Sequence, residues 1–577
     1  MPKSFSIRLF LWLLLGVALL LNYETWLRDY PRPIAAPAAA PGATNSLDST
    51  APPVVPESAA PAVGASATAG AGTAASATTA GATTVAASAS ASLVAAAAPN
   101  AGTVHVLTDV LDLDVSLAGG ELRRVDLPTY PLVKNRPEPV RLLNRDSAES
   151  EFVLQTGLAG AEGVAAPTHV AVYTSPVSEL RLADGQTELK LPLTWTNDAG
   201  ITVTKTYTFR RGGYQIDVDY RIDNRSTTPW SYASYGQLLR YNQPVQTSYF
   251  RPDSYSFKGP AYFDGGRYQK LRNADAKLDQ SVRGGWIAAM QHHFVAAIVP
   301  HKDTDYRYLL RRQGNQFLIS ATGPMQQVAA DATATQTETL YVGPKLQHQL
   351  EAAGPDLFRV ADYGMLTILA QPLFWLLDQV HALVGNWGFT IMIVTFLLKL
   401  LFYPLSEASG RSMAKMKMLA PRIKNLQESY KDQRDKLGKA MMELYQREKV
   451  NPVAGCLPMV IQIPVFLAFY WVLLESVEMR QAPFIGWIND LSSRDPLFIL
   501  PAIMATAMFI QYKLNPQMGT DPMQQKIFMI MPLIMSVTFA FFPAGLVLYW
   551  VTNTVLSIAQ QWNINRRIEA AAARARS

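Results

Sequence analysis

The sequence predicts a multi-pass α-helical membrane protein with six transmembrane helices and a large antiparallel β-sandwich between the first two. Apolar stretches as long as a bilayer-crossing helix lie near the N-terminus and throughout the last third of the chain. Between them, polar and apolar side chains alternate with the period of a half-buried strand. Lys and Arg concentrate beside the apolar stretches, which is the distribution that orients a protein in a membrane.

The composition narrows the possible functions. The formal net charge of the 577 residues is only +6, and its basic residues flank apolar stretches, so we expect no direct nucleic-acid binding. Cys456 is the only cysteine, which excludes an intramolecular disulfide and a thiol metal cluster. We expect no cofactor, no metal and no enzymatic activity.

The N-terminal residues 1–30 predict a signal-anchor helix. The apolar residues 5–23 follow Lys3 and include Arg8, which places the N-terminus in the cytoplasm. A cleavable signal peptide is the alternative, but no small-x-small cleavage site follows the apolar core. Residues 31–103 are rich in Ala, Pro, Ser, Thr and Gly, and they predict a disordered linker.

Residues 104–345 predict the β-sandwich. Residues 201–209 and 214–222 alternate cleanly on either side of the turn Arg-Arg-Gly-Gly, as expected of a hairpin. Further strands are predicted at residues 188–195, 169–175 and 294–301. Many short strands separated by Gly, Asp and Asn turns indicate one large sandwich.

Two features of this region could be read as sites. The adjacent His292 and His293 are predicted to point to opposite faces of a strand, so we do not expect them to share a metal. The aromatic-rich residues 248–268 could line a ligand groove, although packing is the favoured interpretation.

Residues 355–385 predict an amphipathic helix on the outer membrane surface. Apolar residues recur at helical spacing with polar residues such as Asp378 between them, and Gly385 is the expected stop. A spanning helix is the alternative, but Pro372 and the polar residues argue against it.

The second predicted span, residues 386–404, contains one charge, Lys399. Either this lysine snorkels to the nearby cytoplasmic surface, or it faces a hydrated functional cavity. Helical side chains lean toward the N-terminus of their helix, which would direct Lys399 toward the membrane centre. We therefore favour the cavity.

Residues 407–450 predict a cytoplasmic helical hairpin. Met416, Leu419, Ile423 and Leu426 step by three and four residues, and the segment is strongly basic. We expect its first arm to be kinked at Pro421. Its charges either merely solvate the hairpin or form a docking surface, and the sequence leaves both interpretations open.

Four more spans are predicted, at residues 453–476, 496–514, 527–541 and 546–562. We expect the first of them to be broken by Pro458 and Pro464. The arginines after residue 562 place the C-terminus in the cytoplasm, which an even number of spans requires if the N-terminus is cytoplasmic too.

Polar residues are unevenly distributed among these spans. They include Thr395 and Lys399 in the second, Gln462 in the third, Gln511 in the fourth, and Thr552, Asn553, Thr554, Ser557, Gln560 and Gln561 in the last. Because unsatisfied polar groups in hydrocarbon are costly, they should face each other or water. Interhelical hydrogen bonds are the alternative to a hydrated cavity. The spans contain no paired acids for a proton relay, so an unpaired lysine would rather attract an acidic segment from the cytoplasm.

Several ordered motifs resemble the YidC membrane protein insertases. They are GNWGFTIMIVTFLLKLLFYPLSEASGRSMAKMKMLAPRI, KVNPVAGCLPMVIQIPVFLAFYWVL, VEMRQAPFIGWINDLS, DPMQQK and FFPAGLVLYWVTN, together with GGWIAAMQHHF in the β-region. The resemblance implies a multi-pass protein of the bacterial inner membrane, a periplasmic galactose-mutarotase-like sandwich, and a five-helix insertase core at residues 386–577. It implies insertion and folding of membrane proteins without covalent chemistry, through a hydrophilic groove open to cytoplasm and lipid.

The resemblance also implies site residues and partners. The family's positive groove residue corresponds to Lys399, where arginine is common, so the charge is kept without the bidentate fork. Tyr549 and Trp550 stand where many members have two tyrosines. The predicted substrate groove comprises Lys399, Thr395, Gln462, Gln511, Tyr549, Trp550, Asn553 and Gln560. Implied partners are nascent membrane proteins, the lipid bilayer, the Sec translocon with its accessory subunits, the ribosome and the signal-recognition pathway, with weaker ribosome binding through a short tail.

Two other function classes are less favoured. A solute transporter would be expected to show an internal repeat between helical halves, and the sequence shows none. A periplasmic sugar-active enzyme or binding module would need acid and base residues in a groove of the sandwich. A mutarotase-like fold alone does not imply sugar chemistry.

Overall fold

The computed structural model describes residues 102–574, apart from residues 162–163, 243–255, 274, 431–432, 449–456 and 515–521. The described residues fall into two compact units, a β-sheet unit that reaches Phe358 and a helical unit from Arg359 onward. Residues 256–257 belong to the helical unit. The predicted signal-anchor and nearly all of the predicted linker lie outside the described residues.

The β-sheet unit is built from short strands joined by tight turns. The strands are β1 (Thr103–Leu107), β2 (Asp112–Ser116), β3 (Leu122–Pro131), β4 (Pro139–Leu143), β5 (Phe152–Gly160), β6 (Glu179–Arg181), β7 (Glu188–Thr196), β8 (Ile201–Arg210), β9 (Gln215–Asn224), β10 (Trp230–Tyr241), β11 (Gly259–Phe263), β12 (Tyr268–Lys270), β13 (Asp279–Arg283), β14 (Trp286–Met290), β15 (Phe294–Val299), β16 (Asp305–Gln313), β17 (Gln316–Thr322), β18 (Gln326–Val328) and β19 (Ala332–Pro344).

These strands form two sheets that pack face to face. One runs in the order β13-β16-β17-β10-β5-β3-β2-β1-β6, with β18 paired to β10 and β4 to β3, and the other runs β12-β11-β14-β15-β19-β9-β8-β7. Side chains join the sheets across the interior: the Tyr220 hydroxyl of β9 donates to Thr156 Oγ1 of β5 at 3.0 Å. All but one of the described pairings are antiparallel, the exception being β1 with β6. The predicted β-sandwich is confirmed.

The hairpin of β8 and β9 shows why the alternation of apolar and polar residues predicted these strands correctly. Val203 pairs with Ile222, and both are buried, while the intervening Thr204 and Arg221 face outward. Gly212 in the connecting turn has a φ of 68°, a backbone conformation that favours glycine. The predicted strands at residues 188–195, 201–209, 214–222 and 294–301 are confirmed in substance.

The strand predicted at residues 169–175 is wrong. Only isolated bridges form there, from Val172 to Ala118 and from Thr174 to Thr194. The segment is held by a side chain instead, since the His169 backbone N–H donates to the Tyr235 hydroxyl at 3.0 Å. Val172 is exposed, so the alternating pattern here does not mark the buried face of a strand.

The prediction that His292 and His293 point to opposite faces of a strand is also wrong. They lie in the bend between β14 and β15, and their ring centroids are 3.7 Å apart with an interplanar angle of 21°. A bend ends the strand alternation, so the two rings stack instead of pointing to opposite faces. Of the aromatic-rich residues 248–268, the first eight lie outside the described residues, whereas Tyr262 and Phe263 are buried in β11.

A charged pair of residues lies in the interior of the sandwich. The Lys205 ammonium donates to the carbonyl oxygens of Gly119, Gly120 and Thr156 at 3.3, 3.0 and 2.9 Å. Burial lowers the pKa of Lys205 from 10.5 to about 7. Burial likewise raises the pKa of Glu338 from 4.5 to about 7, and Lys205 opposes that shift.

The helical segments begin at the end of the β-sheet unit. They are α1 (Gln347–Ala353), α2 (Thr367–Val384), α3 (Trp387–Leu401), α4 (Tyr403–Ser429), α5 (Arg434–Arg447), α6 (Leu457–Glu475), α7 (Ile499–Leu514), α8 (Pro522–Phe539) and α9 (Ala544–Arg574). Within the helical unit, buried side chains from α2, α3, α6, α7 and α9 form one apolar core, for example Leu377, Ile391, Phe469, Met504 and Val547.

The span predicted at residues 386–404 is not one helix. Helix α3 ends at Leu401, and α4 begins at Tyr403 after a bend of 60°. Pro404 lies in the first turn of α4, where its missing N–H costs nothing. Taken together, α3 and Tyr403–Ser412 are apolar and long enough to cross a membrane, but in the described ranges no helix is so by itself.

Three further predictions concern where helices end or break. Helix α2 ends at Gly385, whose φ is 69° and whose N–H donates to His381 O at 2.7 Å, so the predicted stop is confirmed. Helix α6 continues through Pro464, so the predicted break there is wrong. Helix α9 runs to Arg574, well past the predicted end of the last span.

The predicted hairpin is confirmed as α4 followed by α5. An ion pair of 2.7 Å links Arg422 in α4 to Glu448, which follows α5. Helix α4 is assigned as continuous across Pro421, and the kink expected there stays a prediction.

The loop after α6 is organised by a buried carboxylate. Asp495 Oδ1 accepts from Trp487 Nε1 and Leu497 N, each at 3.0 Å, and Oδ2 accepts from Leu500 N at 2.7 Å. These bonds satisfy donors at the start of α7, as an N-cap does.

Candidate functional site

A partly open cavity lies between α3, α4, α6 and α9. It has about 460 Å³ of empty volume and a mixed polar and apolar lining. Its walls are formed by Thr395, Leu398, Lys399, Phe402, Leu405, Ser406, Ile461, Gln462, Val465, Tyr549 and Asn553. The bend between α3 and α4 creates one wall, because it turns Leu405 and Ser406 toward the residues at the end of α3.

A hydrogen-bonded chain of side chains crosses this cavity. Lys399 Nζ of α3 donates to Ser557 Oγ of α9 at 2.8 Å. Ser557 Oγ donates to the Asn553 backbone carbonyl at 2.7 Å, and Gln462 Nε2 of α6 donates to Asn553 Oδ1 at 2.5 Å. These hydrogen bonds join α3 to α9 through Ser557 and α6 to α9 through Asn553.

Lys399 is half-buried and keeps its charge uncompensated by an acid. Within the described ranges, no carboxylate oxygen lies within 4.0 Å of its ammonium. Its place in the last turn of α3 is favourable for a cation, because the helix C-terminus carries partial negative charge. Thr395 lies one turn earlier on the same face and donates to Ile391 O at 2.6 Å, so its hydroxyl is satisfied within its own helix.

The aromatic residues at the start of α9 occupy different surroundings. Tyr549 lines the cavity and stacks between Phe466 and Phe469, with ring centroids 6.1 and 4.5 Å away. Trp550 packs on the far side, edge-on to Phe466 at 4.7 Å and beside Phe539 at 5.1 Å. Only the first of the two residues is thus placed to touch a molecule in the cavity.

Five of the eight predicted groove residues line the cavity, namely Thr395, Lys399, Gln462, Tyr549 and Asn553. Gln511 in α7, Trp550 and Gln560 do not line it, and their assignment to a substrate path stays a prediction. Gln560 Nε2 is buried and has no hydrogen-bond partner in the part of the chain that the structure describes.

Sequence reasoning missed Ser557 as a site residue, as well as the wall formed by Phe402, Leu405 and Ser406. Ser557 was noted only as one of several polar residues in the last span. The signal for the missed wall was Pro404, which is typical of the first turn of a helix and marks the start of α4.

Sequence comparisons place the chain among known proteins. The sequence model described as "60Kd inner membrane protein" matches residues 379–571, and the one described as "YidC periplasmic domain" matches residues 103–376. The membrane protein insertase YidC of Thioalkalivibrio sulfidiphilus is 45% identical over 583 residues, which cover 98% of this chain and 99% of the relative. That of Nitrosococcus oceani is 43% identical over 569 residues, covering 97% and 99%.

The chain belongs to the YidC family of membrane protein insertases. The resemblance expected from the motifs is confirmed, and residues 103–376, which contain the β-sandwich and the first helical segments, match the YidC periplasmic domain. A crystal structure of an active YidC insertase covers 79% of this chain and 91% of its own, with 18% identity and a TM-score of 0.35.

Proposed function

We propose that this insertase receives the polar, acidic segment of a nascent membrane protein in the cavity beside Lys399. The cavity would be open to cytoplasm and lipid, with Lys399, Thr395, Gln462, Tyr549 and Asn553 as its substrate-facing residues. The observation that carries the proposal is the Lys399 ammonium, which lines the cavity and, among the described residues, is hydrogen-bonded to a neutral hydroxyl rather than to an acid.

The electrostatics of the cavity favour an acidic substrate. A charge on a spanning helix is costly, and proteins keep such charges where water or a partner compensates them. A carboxylate that enters the cavity would supply that partner, and the attraction is stronger there than in bulk water because the effective dielectric constant is lower. The polar groups of Gln462 and Asn553 would replace part of the water that the substrate loses.

Transfer of the apolar substrate segment into lipid would drive insertion. Burying apolar surface contributes about 25 cal/mol per Å². Helices α6 and α8 flank the proposed exit and expose apolar side chains, among them Ile463, Leu467, Leu533 and Ile534. No covalent step, cofactor or metal enters this mechanism.

The proposal includes the membrane arrangement expected from the sequence. It has six spans, cytoplasmic N- and C-termini, a periplasmic sandwich of galactose-mutarotase-like type and an interfacial α2. The exposure of Ile368, Trp375 and Leu383 supports the interfacial assignment of α2. The basic hairpin of α4 and α5 would receive substrates, and the Sec translocon, the ribosome and the signal-recognition pathway are the proposed partners.

The test is insertion of a single-span protein into liposomes that contain the full-length insertase, scored by protease protection. Two clients differ only in having an acidic or a neutral tail, and wild type is compared with Lys399→Ala, Lys399→Arg and Lys399→Glu. We expect Lys399→Arg to keep and Lys399→Glu to lose insertion of the acidic tail, with the neutral tail less affected. Equal insertion of both tails by all four proteins would contradict the proposed role of Lys399.

A further inference from the structure

We infer that Ser557 is a positioning residue, which holds the Lys399 ammonium at one place in the cavity without neutralising it. The observation is the hydrogen bond of 2.8 Å from Lys399 Nζ to Ser557 Oγ, which crosses from α3 to α9. The inference rests on the proposed function, because it concerns how Lys399 meets an acidic substrate.

The direction of each hydrogen bond is determined by chemistry. A lysine ammonium can only donate, so Ser557 Oγ accepts from it. The single proton of Ser557 is donated to Asn553 O at 2.7 Å, which leaves the oxygen lone pairs for Lys399. The hydroxyl is therefore oriented as an acceptor, and the two bonds polarise each other in the same sense.

The hydrogen bond to Ser557 restricts the position of the Lys399 ammonium. Lysine has a flexible four-carbon stem, and ordering it on binding costs conformational entropy. Ser557 holds Nζ before substrate arrives, so less freedom is left to lose when a carboxylate binds. Two of the three ammonium N–H groups remain for that carboxylate.

A neutral anchor is essential to this arrangement. A carboxylate at position 557 would hold Lys399 more firmly, but it would also cancel the charge that attracts the substrate. A hydroxyl fixes the position and leaves the charge. The position of the Lys399 ammonium and its uncompensated charge can therefore be tested independently by three substitutions of Ser557.

A hydrogen bond between α6 and α9 lies one helical turn before Ser557. Asn553 lies one turn earlier on α9, and its side-chain carbonyl accepts from Gln462 of α6 at 2.5 Å. This bond sets the rotation of α9 against α6, so Ser557 faces Lys399 in α3. A change at Ser557 alone leaves the link between Gln462 and Asn553 intact.

The experiment uses the full-length protein in liposomes with the two clients that differ in tail charge. Ser557→Ala removes the anchor, Ser557→Thr keeps a hydroxyl, and Ser557→Asp adds an acid. Thr506→Ala is the matched control, because Thr506 of α7 does not line the cavity and its hydroxyl donates to Ala502 O of its own helix at 3.0 Å. The readout is the ratio of acidic-tail to neutral-tail insertion.

We expect Ser557→Ala to lower that ratio about tenfold, the lower end of the range for one hydrogen bond to a charged group. Ser557→Asp should lower it to the level of Lys399→Ala, while Ser557→Thr and Thr506→Ala should keep the wild-type ratio. The expected effect in Ser557→Ala should shrink as salt is raised, since screening weakens the attraction.

Two results would overturn the inference. If Lys399 variants change the ratio but Ser557→Ala and Ser557→Asp do not, the proposed function stands and the positioning role of Ser557 is wrong. If Ser557→Ala reduces insertion of both tails equally, as a packing defect would, the positioning role is also wrong. If the Lys399 variants do not alter the ratio, both the proposed role of Lys399 and the positioning role of Ser557 are wrong.

Discussion

The two units each hold a buried or half-buried lysine, and the two lysines are used differently. In the sandwich, Lys205 is 0% exposed and donates to three backbone carbonyls. Three tyrosine rings surround it, with their centroids 5.1 to 5.8 Å from Nζ. In the helical unit, the described residues offer the Lys399 ammonium a single hydroxyl beside an open cavity.

The difference separates a structural cation from an available one. All three donors of Lys205 are occupied within the fold, so its charge has nothing left to offer a ligand. Among the described residues, Lys399 Nζ donates to Ser557 alone, and it lines a partly open cavity. Burial by itself therefore does not identify a functional lysine, whereas unused hydrogen-bonding capacity beside an opening does.

The largest expected effect is on the stability of the sandwich. Lys205→Ala should lower the free energy of unfolding by about 3 kcal/mol or more, because it leaves a cavity and unsatisfied buried carbonyls. Lys205→Met, which keeps most of the volume, should cost less. Urea titration of the full chain in detergent, followed by the circular dichroism of the β-sheets, measures both changes.

Lys399→Ala is the comparison for that result. It should leave the sandwich transition unchanged and the helical transition within about 1 kcal/mol of wild type, since its loss exposes no set of buried acceptors. If Lys399→Ala proved as destabilising as Lys205→Ala, the distinction between the two lysines would fail.

A smaller effect is expected at the loop after α6, where the buried Asp495 accepts three hydrogen bonds. Asp495→Ala removes the acceptor for Trp487 and two backbone N–H groups at the start of α7. We expect a loss of about 1–2 kcal/mol. Faster cleavage of this loop by protease added outside the liposome would report it, with Asp305→Asn in the sandwich as a distant control.

The interior pair also predicts a pH dependence with a definite sign. The raised pKa of Glu338 means that its contribution to stability is fully present below 4.5 and is lost as the pH rises through about 7. The lowered pKa of Lys205 means that its contribution is full above 10.5 and is lost as the pH falls through about 7. The sandwich should therefore be least stable near neutral pH.

Glu338→Gln tests the acid side of this dependence. Because the variant cannot ionise at that position, its free energy of unfolding should no longer decline between pH 4.5 and about 7. The increase in the free energy of unfolding above about pH 7 should remain, since it arises from Lys205. An unaltered acid branch in Glu338→Gln would assign the dependence to another group.

The smallest effect is expected at an exposed ion pair. Arg411 and Glu407 in α4 are joined at 2.6 Å one helical turn apart, close to the cavity wall but on its outside. Glu407→Gln should change stability by no more than about 0.5 kcal/mol and leave insertion of the acidic tail unchanged. A large loss of acidic-tail insertion would show that charges outside the cavity matter as much as Lys399.

Much of the fold could be predicted because its signals are local. Alternation marked the hairpin of β8 and β9, and Gly385 marked the end of α2. The predictions were wrong where a contact between residues distant in sequence determines the local structure. At residues 169–175, for example, the His169 backbone N–H donates to the Tyr235 hydroxyl instead of to a neighbouring strand. The bend after Leu401 was missed because an apolar run continues through it without a change in composition.

By itself, the sequence determined the family of the protein, a β-sandwich region followed by a helical region, and the charge at position 399. It also named five of the residues that line the cavity. Only the tertiary structure decided that Ser557 meets Lys399, that Asn553 joins α6 to α9, and that Trp550 turns away from the cavity. The physical reason is that periodicity records which face of an element is buried, whereas the partner of a side chain depends on the rotation and tilt of whole helices against each other.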